Sequence, residues 1–244
     1  MKSSNGSLIL SRKNKFKNMK QSKFLHLLLP VLIMAIPWVY LAVIWNSLPQ
    51  TIPTHFGLEG KPDAFGKKTE VIVAPLVMTI TGIFVYLLLK NIHRIDPKKK
   101  YSSTTSAIMS KIAFAVIVLL AAVTMFILYW TIKGRVEGIP AFFCGLSLFF
   151  AYLGNLMHSV KPNYFVGFRI PWALENEENW TKTHRLASKI WFTGGISLAI
   201  FSLLAGSNIL LLIVFFCTVF LMTIIPVIYS YNLYRLANRT GNKE

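Results

Sequence analysis

Six apolar stretches, at 24–46, 71–89, 112–132, 139–157, 190–206 and 209–231, run without a single Asp, Glu, Lys or Arg. Each comes close to the roughly 20 residues that a helix needs to cross a hydrocarbon core about 30 Å thick. Together they fill half of the 244 residues, which excludes a soluble enzyme. The expected fold is all-α, a polytopic membrane bundle of six transmembrane helices, because lipid leaves the backbone no partner outside its own helix. The first stretch follows a basic leader, as a secretory signal does. It is 23 residues long, however, and leads into Asn46-Ser47-Leu48-Pro49 rather than a small-residue cleavage site, which predicts a retained helix. Cys144 and Cys217 fall inside apolar stretches and read as packing residues, with no disulfide framework or metal site implied.

A net charge of +17 would suggest nucleic acid in a soluble protein, but here the basic residues sort by side. The leader 1–23 holds seven Lys and Arg, the loop 90–111 six, the loop 158–189 five and the tail 232–244 three. The alternate loops hold only Lys61, Lys67, Lys68, Lys133 and Arg135, while Glu59, Asp63, Glu70 and Glu137 sit beside them. Basic residues favour the cytoplasmic face, so both termini are expected inside. The leader cations Arg12, Lys13, Lys15, Lys17, Lys20 and Lys23 then serve topology and attraction to anionic lipid heads, worth about 1 kcal/mol each near the surface. Membrane lipids are the expected partner, and no direct nucleic-acid binding is expected, because no binding fold accompanies the charge. The same sorting divides the chain into a basic cytoplasmic leader (1–23), a two-span unit with an extracytoplasmic loop at 47–70 (24–111), and a four-span unit with a cytoplasmic loop at 158–189 (112–244).

Ion-coupled transport needs charged or titratable groups at membrane depth, and these spans have none there. Apart from Asn155, the apolar surface is broken mainly by hydroxyls such as Thr79, Thr81, Thr124, Ser147, Thr193, Thr218 and Thr223, which can return hydrogen bonds to the preceding helical turn. Gly194, Gly195 and Ala199 allow close helix approach. Pro30, Pro37, Pro75 and Pro226 predict bends, and the short Gly206-Ser207-Asn208 link predicts a tight antiparallel hairpin of spans five and six.

Two loops carry more information. In the outer one, Pro49 and Pro53 favour an extended entry, and Gly57, Gly60, Pro62-Asp63 and Gly66 supply turns, which predicts a compact cap. Thr54-His55-Phe56 suits a short strand, with Phe56 and Phe65 burying one face of the cap or touching the membrane interface. His55 with Asp63 or Glu59 is expected to make a turn-stabilising hydrogen bond, since a dedicated metal site gathers more ligands.

In the inner loop, Asn176 can cap a helix whose first turn holds Glu177 and Glu178, with Glu178 and Lys182 spaced as an i,i+4 ion pair. Trp180, Thr183, His184 and Ala187 share one face of that helix, on the track that enters span five, and the aromatic rings are expected at headgroup level. Arg169 suits a lipid phosphate, a loop carboxylate or a partner's acid. For Arg169, Trp172, His184 and Arg185, a loop pinned to the inner interface and a recognition role stand as equal readings. No nucleophile, acid and base constellation is visible, and no cofactor or metal is expected.

Asn163, Gly167, Arg169, Pro171, Trp172, Leu174, Trp180, His184 and Arg185 stand in the pattern N-x3-G-x-R-T-P-W-T-L followed by a Trp and a His-Arg or Asn-Arg pair. In this the chain resembles the SdpI-type immunity proteins. Ile170 and Ala173 depart from the pattern, standing where that family usually has Thr. Leu48-Pro49, Ile52-Pro53, His55-Phe56-Gly57, Gly60 and Pro62-Asp63 are similar to the uncharacterised loop domain often found ahead of it. The resemblance spans nearly all of 45–235. It implies a bacterial inner-membrane protein without catalysis that protects its producer from a secreted membrane-active peptide toxin. It further implies a signalling role, since the best-known member senses the peptide and holds a small DNA-binding repressor at the membrane. On this expectation the outer residues His55, Phe56, Gly57, Gly60 and Asp63 would meet toxin, and the inner Asn163 to Arg185 set would hold the regulator. Two rivals remain: a peptide or lipid transporter or flippase, which needs a polar passage past Asn155 and the threonines, and a membrane enzyme acting on lipid or cell-wall precursors, centred on His55 and Asp63 or on His184 and Arg185.

Overall fold

The computed structural model describes residues 28–57, 60–97 and 102–241. The basic leader, His26 and the start of span one, Glu59 and Lys98-Lys99-Lys100 lie outside the described residues. Helix α1 covers 28–44. A hairpin of β1 (Thr51–Phe56) and β2 (Pro62–Lys67) follows, then α2 (Val73–Ile95), α3 (Ser102–Lys133), α4 (Ile139–Met157), the single turn α5 (Pro171–Glu175), α6 (Glu177–Ala205) and α7 (Ile209–Gly241). Six of these helices are long and apolar enough to span a bilayer, and the chain is an all-α polytopic membrane protein apart from its one small hairpin.

The hairpin is larger than the single short strand expected from Thr54-His55-Phe56. Its register pairs Thr51 with Lys67 and Phe56 with Pro62, with an irregularity around His55. Phe56 is half-buried and Phe65 is 60% exposed, while Ile52 at 2% takes the most buried position, packed with Leu41, Leu48, Val71 and Leu128. The physical reason is pleat alternation, which turns Ile52 toward α1 and α3 and its neighbours outward. Gly60, at φ +71°, accepts a backbone bond from Val136 in the α3–α4 turn, at 2.9 Å. At the far end of α3, the α2 terminus meets the 158–176 connection, where the Asp96 carboxylate receives the Tyr164 amide at 3.4 Å. A 32-residue helix spans about 48 Å, so Asp63 and Trp172 lie at opposite ends of the bundle.

α4 and α6 make the closest pair. A Cβ on Gly195 would come within 2.6 Å of the Ala151 nitrogen, and one on Gly154 within 2.5 Å of the Phe192 nitrogen, so both glycines are needed where the backbones touch. Thr124, Ser147, Thr193 and Thr223 bond the carbonyl four residues back, as the hydroxyl pattern predicts. Thr79 instead accepts the Trp38 indole N–H at 2.9 Å, tying α2 to α1. Pro226 sits inside α7 and has no N–H for the carbonyl of Met222; the Trp191 indole on α6 supplies that bond at 2.8 Å. Between α6 and α7 the chain reverses at Gly206, φ +68°, and Asn208 caps α7 by accepting from the Leu211 amide.

Candidate functional site

The connection from α4 to α6 is organised by Asn163, which is 1% exposed. Its carbonyl oxygen accepts the amides of Phe165 (2.8 Å) and Val166 (2.7 Å), while its amide donates to the carbonyls of Lys161 (2.8 Å) and Val166 (3.0 Å). A short side chain that both accepts and donates is what closes such a turn.

That turn delivers Gly167 at φ +102°, a conformation that favours glycine. A Cβ there would also run into the His184 ring. The next amide, Phe168 N–H, donates to His184 Nε2 at 3.1 Å, so the ring proton resides on Nδ1 and is donated to the Trp180 carbonyl at 2.9 Å. Trp180 stacks on His184 with centroids 4.0 Å apart, and its indole N–H donates to the Val160 carbonyl at 2.8 Å. The segment is thereby closed on itself at both ends of the Trp180–His184 pair. Trp180 is 1% exposed, so it does not sit among headgroups as expected; the four-residue spacing stacks it under His184 inside the fold.

A second clamp ties the segment to α7. The Trp172 indole donates to Ser230 Oγ at 3.1 Å, and Ser230 Oγ donates to Asn179 Oδ1 at 2.6 Å. Thr183 donates to the same oxygen at 3.0 Å, and the Asn179 amide returns a bond to the Ser230 carbonyl at 3.0 Å. Trp172 also stacks on Tyr234 and meets Tyr231 edge-on. Pro171 starts α5, where its missing N–H costs nothing. Asn176 caps α6 through the Asn179 amide, and Glu178 pairs with Lys182 at 2.6 Å.

Of the inner residues singled out from sequence, the buried Asn163, Trp180 and His184 form one unit with the exposed Gly167 packed against the His184 ring, and Trp172 belongs to the second. Arg169, Pro171 and Arg185 are exposed. Arg169 donates to the Tyr164 carbonyl at 3.0 Å. His184 is buried and Arg185 exposed, so the two do not converge on one centre. Sequence reasoning missed Asn179 and Ser230. Asn179 was hidden in a helix start read for its cap, its charges and the face of Trp180, and Ser230 in a run of tyrosines near the end of an apolar span.

In the outer hairpin, His55 Nδ1 and Asp63 Oδ1 lie 2.6 Å apart, with both side chains more than half exposed. Gly57 faces the Asp63 carboxylate, and Phe56 is half-buried beside it. No group of three metal-ligating side chains occurs among the described residues. Within the spans, a cavity of about 430 Å³ between α3 and α4 is lined by side chains such as Phe114, Val118, Leu119 and Phe149. Asn155 lies on the exposed face of α4 rather than in it.

These features define a multi-pass helical membrane protein whose α4–α6 connection is held by two polar clamps and whose opposite end carries a hairpin cap. Residues 159–230 match the SdpI/YfhL protein family, and residues 32–79 match a domain of unknown function, DUF1648. The first match covers the α4–α6 connection, α6 and α7 as far as Ser230, and the second covers the hairpin and most of α1. Its relatives include the Immunity protein SdpI of Bacillus subtilis (strain 168), 24% identical over 212 residues, covering 86% of this chain and 97% of that protein. An uncharacterized protein of Archaeoglobus fulgidus is 36% identical over 62 residues, a quarter of this chain and 34% of that protein. No solved structure gives a significant match.

Proposed function

We propose that this chain is an immunity and signalling protein of the bacterial cytoplasmic membrane, protecting its host from a secreted membrane-active peptide toxin. The observation that carries this reading is the similarity to an immunity protein over nearly the whole length of both chains. Both termini and the 158–176 segment face the cytoplasm, following the sorting of basic residues. The hairpin, with His55, Phe56, Gly57, Gly60 and Asp63, is the surface offered to toxin. The 158–176 segment and the start of α6 offer the exposed Arg169, Pro171 and Arg185 to a small DNA-binding repressor, while Asn163, Gly167, Trp172, Trp180 and His184 hold that surface in shape. A signal between the ends requires two packings of the bundle, each favoured by one ligand condition.

Survival tests it. A toxin-sensitive bacterium expressing this chain is challenged with the product of any neighbouring toxin gene. Survival above the vector control supports the reading, and equal killing at verified membrane expression overturns it.

A further inference from the structure

An open groove of about 680 Å³ lies against the 160–170 segment, reaching α3 at Ile112, α4 at Leu153 and Met157, α6 at Trp191 and α7 at Thr223. Its walls are apolar, and its rim carries Arg169. One Arg169 nitrogen is committed to the Tyr164 carbonyl, and the guanidinium meets no carboxylate among the described residues. Thr223 stands seven residues before Ser230, so the groove descends about 10 Å from the clamp into the spans. It therefore starts at a cation outside the hydrocarbon and continues as an oily slot inside it.

The surroundings repeat that polarity. The described residues of the three segments at this end, within 90–111, 158–189 and 232–241, hold ten Lys and Arg against four Asp and Glu. A ligand that fits is an anion carrying a long apolar chain, delivered from the membrane side. We propose that the groove is a binding site for one anionic phospholipid, its phosphate on Arg169 and an acyl chain between Leu153, Met157 and Trp191. A water-soluble protein partner reaches the rim, but not the depth at Thr223. The guanidinium offers a phosphate a forked pair of donors, and low local dielectric strengthens such charge-assisted bonds. The inference stands apart from the immunity reading, since it concerns the purified chain alone.

Native mass spectrometry of the full chain in detergent tests it, with phosphatidylglycerol or phosphatidylcholine of matched acyl chains as probe. Phosphatidylglycerol is expected to be retained roughly tenfold better, the factor carried by one charge-assisted contact. Arg169→Gln should reduce that retention to the phosphatidylcholine level, and Arg169→Lys should keep most of it. Leu153→Trp, which fills the slot, should displace the lipid with the cation intact. Lys189→Gln, exposed on α6 outside the groove, should change nothing. Equal retention of the two lipids overturns the site, as does a loss in Lys189→Gln matching that in Arg169→Gln, which would mark diffuse charge. Displacement of phosphatidylglycerol by inorganic phosphate alone would overturn the role of the acyl slot. Should Leu153→Trp fail to fold, the two Arg169 variants still decide the outcome.

Discussion

The backbone of Gly167 lies against the edge of His184, so closely that a methyl group on Gly167 would overlap the ring. The neighbouring Phe168 amide then reaches Nε2 of the same ring. Two strands of the site meet in this contact: a loop residue whose φ of +102° favours glycine, and a helix residue whose ring bridges two backbone groups.

Gly167→Ala is accordingly expected to destabilise the protein by about 2–4 kcal/mol, through strain at positive φ and overlap with the ring. His184→Ala removes the obstacle but leaves the Phe168 and Trp180 groups unpaired. The double variant should thus be less destabilised than the sum of the singles. Thermal unfolding in detergent, followed by fluorescence, measures all three; strict additivity would show that the contact is not felt.

For Trp172, the clamp to Ser230 separates anchoring from surface recognition. Trp172→Phe keeps the contacts with Tyr231 and Tyr234 but removes the donor to Ser230. It is expected to cost about 1–2 kcal/mol and to speed amide exchange in 168–176. Ser230→Ala should do the same from the other side of the clamp, because it removes both the acceptor of the Trp172 indole and one of the two donors to Asn179 Oδ1. Unchanged exchange in both variants would mean that the clamp does not hold the segment.

Much of this architecture is legible in the sequence because lipid imposes a coarse rule: apolar length gives spans, and basic residues give sides. Asn163 and Gly167 stand out in the sequence only through the family pattern, and the turn they build with a bifunctional side chain and a positive φ is disclosed by the fold. What the residues alone do not disclose is partnership across the bundle. Ser230 is one hydroxyl among many in apolar helices, and nothing local distinguishes a serine bonded to its own preceding turn from one bonded to Asn179, 51 residues away. The hairpin core depends on partnership in the same way. Phe56 and Phe65 are the larger side chains, but the pleat turns the smaller Ile52 inward.

Arg169→Ala should leave membrane insertion and thermal stability nearly unchanged, because the side chain is exposed and makes one bond to the Tyr164 carbonyl. On the proposed function it should abolish toxin protection or repressor recruitment. Survival assays beside detergent chromatography of the same variant decide this, and full protection at normal expression would reject a recognition role for Arg169.

At the opposite end, His55→Ala removes the 2.6 Å contact with Asp63 and should loosen the hairpin. Faster protease cleavage between residues 50 and 70 is the expected sign, with stability of the spans unaffected. If protection is lost while cleavage is unchanged, His55 contacts toxin directly. Cysteines placed at Asp63 and Glu175, in a chain with Cys144 and Cys217 replaced, test the arrangement of the two ends. An impermeant maleimide added to intact cells should label position 63 and spare 175.

The proline in α7 offers a thermodynamic cycle inside the membrane. Pro226 cannot donate to the Met222 carbonyl, and Trp191 does so from α6. Trp191→Phe should therefore strand a carbonyl where water is scarce, at about 1–3 kcal/mol beyond the small change in packing. In a Pro226→Ala background the helix regains its own N–H for that carbonyl, and the same Trp191→Phe change should cost markedly less. The coupling between the two sites, read from unfolding of the four variants in one detergent, is expected to be about 1 kcal/mol or more. A coupling of zero would mean that the indole bond contributes nothing, and that α6 and α7 are held by apolar packing around Phe215 and Met222 alone.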